Sequence, residues 1–133
     1  MALNFPDVGE NIALEALTNK TAPQNLVLRL FSNNITPADT DTAVTYTEAT
    51  FAGYAAITLT GASWGAASAG TITYGSQQTF TRSSTGTVEN IYGYYVTQAV
   101  SGLLVYSERD GAAPFPITNS GDNIKITPTI SAN

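Results

Sequence analysis

The spacing of apolar residues changes once along the chain. Between Asp7 and Lys20, the residues Ile12, Ala13, Ala16 and Leu17 recur at helical intervals. Asp7 has N-cap chemistry, Glu10 stands three residues on as a capping box requires, and Lys20 suits a final turn. Pro23 forbids continuation. The pattern predicts a helix over residues 8–20, with an apolar stripe wide enough to lie on a sheet and too narrow to found a helical bundle.

After Pro23 the chain becomes rich in Thr, Tyr, Val and Ile, punctuated by Gly, Pro and Asn every ten or so residues, which is the spacing of an all-β fold. Strands are predicted near 25–31, 43–48, 52–60, 70–75, 77–82, 88–99, 102–108 and 122–130. In the last, Ile124, Ile126 and Ile130 share one face while Lys125, Thr127 and Thr129 share the other, and Pro128 marks its end as an edge. Tyr92 to Val96 and Leu103 to Tyr106 are apolar on both faces, and Ser101-Gly102 between them has hairpin-turn chemistry. Those two strands need a cover on each side: the opposing sheet on one, and the N-terminal helix or a neighbouring subunit on the other. About eight strands with irregular loops predict a two-sheet sandwich, with the jelly roll as its candidate form. No internal repeat or linker divides the chain, so residues 1–133 read as one β-sandwich domain: an N-terminal arm over 1–6, the helix over 8–20, and the sandwich over 25–130.

A length of 133 residues suits one hydrophobic core and leaves no room for a second domain. The chain has neither Cys nor His. Disulfides, thiolate zinc sites, cysteine nucleophiles and serine–histidine catalysis are thereby excluded. Five basic residues against ten acidic ones leave a net charge of −5, so there is no positive footprint for nucleic acid or an anionic membrane. Only 11% of residues are charged, whereas Thr, Ser and Asn number 20, 10 and 10. A freely diffusing domain would carry about a quarter charged residues, and the shortage points to a surface that rests against something else. The segment from Met1 to Asp7 has neither the basic region nor the apolar region of a signal peptide, so a soluble, unprocessed chain is expected.

Paired carboxylates are the only catalytic chemistry this composition permits. Asp39 with Asp41, and Glu108 with Asp110 around Arg109, can each meet geometrically. Glycoside hydrolysis would also need a groove with two facing carboxyls, one at raised pKa. Without such a groove these are solvated turn acids, and no enzyme is expected. Asp39, Asp41 and the turn Asn119 to Asn123 supply oxygen ligands suited to calcium, yet Asx residues serve ordinary β-turns without an ion, so no metal or cofactor is expected. Tyr92, Tyr94, Tyr95 and Tyr106 suggest a sugar-stacking platform, against which stands their usual role in core packing. Arg29, Arg82 and Arg109 are each expected to pair with a carboxylate. Trp64, inside the small-residue stretch Gly61 to Gly70, reads as an anchor for a surface or interface loop.

The order of Leu26 to Pro37, Tyr46 to Ala49, Phe51 to Tyr54, Gln78 to Phe80 and Ile91 to Thr97 resembles small proteins encoded in the structural modules of tailed bacteriophages, which are similar to capsid decoration, or cement, proteins. The resemblance spans about residues 12–130 and carries no catalytic motif. It implies a non-enzymatic protein on the capsid exterior, assembled in the host cytoplasm, whose partners are the major capsid protein and copies of itself as a dimer or trimer. Contacts with partners are then expected at Met1, Leu3 and Phe5 of the arm, at Asn33 and Asn34, and at Trp64. A tail or baseplate component and a carbohydrate-binding adhesion module are the alternatives.

Overall fold

The computed structural model describes residues 3–132. It is an all-β protein with one short helix. The elements in chain order are β1 (Leu3–Asn4), α1 (Asp7–Leu17), β2 (Leu26–Phe31), β3 (Ile57–Leu59), β4 (Thr71–Thr73), β5 (Gln78–Thr81), β6 (Glu89–Ile91), β7 (Gly93–Gln98), β8 (Leu104–Arg109), β9 (Phe115–Ile117), β10 (Asn123–Ile126) and β11 (Thr129–Ser131). One antiparallel five-stranded sheet runs β1-β8-β7-β2-β3. Three two-stranded ribbons, β10-β5, β11-β4 and β6-β9, form the opposing layer.

The main core lies between sheet and ribbons. Leu28, Leu30, Leu59, Tyr94, Val96 and Tyr106 meet Phe80, Ile91 and Ile117 there, with Ile124, Ile126 and Ile130 packed at its margin. Alternation in β2 and β7 sends Phe31 and Tyr95 to the other face, where they join Tyr46 and Leu104 in a second cluster. Val8 of α1 and Ile35 and Ala43 of the long β2–β3 connection cover that cluster. The two-faced apolarity of β7 and β8 is thus satisfied within the chain, by a loop and the first turn of the helix. Arg29 fastens the loop: Nη1 donates to both oxygens of Glu48 at 2.9 Å, and Tyr46 stacks on Tyr95 at 4.9 Å between centroids.

Several boundaries differ from the sequence pattern, each for a local reason. Pro6 takes the N-cap position, so Asp7 is the first helical residue; the capping box of Asp7 with Glu10 does not form, because the Asp7 amide donates to the Asp39 carbonyl at 2.9 Å and the Glu10 amide to the Pro6 carbonyl at 3.0 Å. The helix ends at Leu17, not at residue 20. Asn19 adopts a left-handed φ of 57°, and the amides of Asn19 and Lys20 return to the carbonyls of Ala16 and Glu15, a Schellman closure. The segment 43–48 is not a strand. Thr42 and Thr45 close a tight turn on each other, which leaves Glu48 in a single bridge to Phe31. The strand over 52–60 shrinks to β3 because Gly53, at φ 84°, turns the chain after Phe51. The run 88–99 is broken at Tyr92, where the chain passes from a ribbon to the sheet. The run 122–130 is broken at the buried Pro128, where it passes from β5 to β4. A Cβ on Gly93 would strike the Phe31 ring and the Glu108 and Arg109 backbone, so only glycine allows the first of these crossings.

α1 lies along the β8 edge of the sheet and not across a face. Gly9, the helix's buried residue, sits directly against the Val105 carbonyl. β1 pairs with the other half of β8, Leu3 opposite Glu108 and Asn4 opposite Ser107. Strand and helix together cover an edge that would otherwise be open.

Candidate functional site

A cleft of about 450 Å³ lies between β7 and β8 of the sheet and the ribbon strand β10. Tyr94, Glu108 and Asp110 come from the sheet side, Lys125 from the ribbon side. Tyr94 and Glu108 are direct neighbours across the β7–β8 ladder, and the Tyr94 hydroxyl donates to Glu108 Oε2 at 2.9 Å. Burial pushes the ionisation of Tyr94 well above the usual phenol range, and the nearby Tyr106 and Glu108 add to it, so the group stays a donor. Asp110 accepts the Ala112 amide at 2.8 Å through Oδ1. Glu108 Oε1 and Asp110 Oδ2 have no hydrogen bond, and Lys125 no ion pair, among the described residues.

The alternation of β8 therefore brings Glu108 and Asp110 to one cavity, as their spacing allows. Hydrolysis would require one carboxyl enclosed in apolar surroundings. Here both are half-buried and each already accepts a hydrogen bond. The arrangement suits recognition of a cationic group more than proton transfer.

Asp39 and Asp41 are held apart from any such cavity. Asp41 accepts the Ala38 amide at 2.9 Å and the Tyr46 hydroxyl at 2.7 Å, closing the turn, while Asp39 is exposed. In the Asn119 to Asn123 turn, Asp122 Oδ2 accepts the Asn119 and Thr118 amides, and these bonds hold its carboxyl below the usual range. No three acidic side chains converge in a metal-binding group among the described residues. Tyr94, Tyr95 and Tyr106 are buried and pack in the core, while Tyr92 is half-buried with the Arg109 guanidinium over its ring.

Of the residues expected at partner contacts, Met1 lies outside the described residues. Leu3 and Phe5 pack on the chain's own core, Phe5 stacked on Tyr106 at 5.7 Å. Asn33 braces the long loop, donating to the Thr45 carbonyl at 2.9 Å and accepting the Thr47 amide at 2.8 Å; Asn34 beside it is exposed. Trp64 is half-buried and packs edge-on against Tyr74 at 5.2 Å, anchoring its loop.

Among the described residues, one of the three arginines has the expected carboxylate partner. Arg29 pairs with Glu48. Arg109 donates to the Ile35 carbonyl at 2.8 Å and lies over the Tyr92 ring at 5.1 Å. Arg82, 6% exposed, donates to the carbonyls of Ser84, Thr87 and Ile117. The loops around it expose carbonyls inward, and a planar fork with five donors satisfies several at once. The Ser and Gly residues that follow Arg82 in the sequence were the one signal of a loop wrapped on a side chain.

No protein-family model matches the chain, and no curated protein matches it.

Proposed function

We propose that this chain is a non-enzymatic structural protein of a tailed-phage particle, a decoration protein that sits on the capsid exterior and bridges major capsid subunits. The observation that carries the reading is the use made of its few charges. Seven of the ten acids, Glu15, Asp41, Glu48, Glu89, Glu108, Asp110 and Asp122, accept hydrogen bonds that hold a turn, a loop or a neighbouring strand. Such a chain invests its ionic groups in rigidity, and a rigid, weakly charged scaffold is what a shell clamp requires. The resemblance of Leu26 to Thr97 to phage structural-module proteins supports the same reading.

The physical task is to bury further area across the joints between shell subunits. About 800 Å² per partner makes a specific interface, and several such contacts per molecule multiply their effect. Self-association as a dimer or trimer at a symmetry axis fits that task.

The test is to quantify the chain in purified particles against the major shell subunit, then to add it back to shells that lack it and follow their heat resistance. Hundreds of copies per particle and a raised disruption temperature are expected. A few copies confined to the tail would transfer the role to a baseplate component. Absence from particles, or turnover of a small molecule by the isolated chain, would overturn the proposal.

A further inference from the structure

The free edge of β10 opens on the cleft that Glu108 and Asp110 line. Ile124, Lys125, Ile126 and Thr127 all line it, although successive side chains of a strand leave opposite faces. Ile124 and Ile126 pack inward on the core, while Lys125 and Thr127 are exposed. A cavity touched by both sets runs along the edge of the strand. β10 pairs with β5 alone, and in an antiparallel pair alternate residues turn their N–H and C=O groups away from the partner. Among the described residues, no main-chain bond joins Asn123–Ile126 to anything on that outer side.

An unpaired edge beside a cavity is a template for an added strand. Charge says whose strand it is. Glu108 and Asp110 lie at the cavity with an unpartnered oxygen each, which favours a segment carrying Lys or Arg. A second copy of this chain has no such segment to give. Lys20 and Arg29 are paired with acids, Arg82 and Arg109 donate to carbonyls, and joining two β10 edges would put two Lys125 side chains in one ladder. We infer that the cleft binds, by strand addition to β10, an extended basic segment of a different protein. The four residues of edge span about 13 Å, room for a segment of similar length. The inference deepens the decoration reading, and rests on it for identifying that protein as a shell subunit.

The test uses the full chain, isotope-labelled, with a fluorescent peptide Thr-Lys-Val-Arg-Val-Lys-Thr and a counterpart carrying Glu at each basic position. Expected results are binding of the basic peptide only, with slowed exchange at those alternate amides of β10 that face away from β5 and none at the other free strand edges, β3 among them. The E108Q/D110N double variant keeps an acceptor for the Tyr94 hydroxyl and the Ala112 amide, so it stays folded while binding weakens about tenfold. K125E, at an exposed position, strengthens it. No binding of the basic peptide, equal binding by the double variant, or protection away from β10 would overturn the inference. A chain that coats and stabilises shells while these amides stay unprotected retains its structural role and loses this site.

Discussion

Arg82 and Tyr106 mark the two extremes in how this protein accommodates a buried polar group. The Arg82 guanidinium makes three hydrogen bonds to carbonyls of 2.6 to 3.0 Å, linking the segment 84–87 to the end of β9. Arg82→Met keeps the length of the side chain and leaves those carbonyls facing an apolar group. A loss of about 3 kcal/mol is expected, read from urea unfolding. Arg82→Lys should recover little of it, because one ammonium cannot reach all three acceptors. Unchanged stability in Arg82→Met would mean that the loops hold their shape without the arginine. The Tyr106 hydroxyl, by contrast, finds no hydrogen-bond partner among the described residues, and the residue is fully buried. Tyr106→Phe keeps the stack on Phe5 and the edge contact with Tyr94 while removing the orphaned hydroxyl. It should raise stability by about 1 kcal/mol. A loss of that size would show that the hydroxyl is satisfied in solution.

At the scale of elements, the N-terminal segment is part of the sheet. Leu3–Asn4 completes the β8 edge, Phe5 stacks on Tyr106, and Pro6 caps α1. Deleting residues 1–6 should therefore cost about 3 kcal/mol and lower the unfolding midpoint, instead of leaving the domain untouched as an arm would. A truncated chain with an unchanged urea midpoint would restore the arm. What could be read from sequence follows the same division. β2, β5, β7 and β8 were legible because their alternation, or their two-faced apolarity, extends over four or more residues. β1 and β9 were not, being two and three residues long with a proline beside or within them, and they exist only through their partners. Glu108 and Asp110 were legible as a pair by their spacing on one strand. The β10 edge that faces them was not, since which side of a strand stays unpaired depends on contacts with β5, more than forty residues away.

For the whole molecule, the tyrosines set the alkaline limit of stability. Burial pushes the ionisation of Tyr46, Tyr54, Tyr94 and Tyr106 above the usual phenol range, and that of Tyr95 up to about 12, from an ordinary value of 10.0. A group whose pKa is raised by folding contributes stability that is complete below its unfolded value and is lost as pH rises through its folded value. The unfolded chain can release these protons once the pH passes 10, whereas the folded chain retains them, so each further step in pH favours unfolding. These rings sit on both faces of the five-stranded sheet, in both core clusters, and cannot ionise piecemeal while the sheet stays packed. The expected outcome is a single cooperative transition between about pH 10 and 12, in which the tyrosinate absorbance of these five rings and the loss of aromatic circular dichroism follow one curve; Tyr74, whose ionisation is shifted down by its hydrogen bonds with Thr60 and Ser63, contributes ahead of it. Tyrosinate absorbance from most of the rings, developing gradually while the dichroism persists, would mean that the core admits hydroxide without unfolding and that the two clusters are less tightly closed than their packing implies.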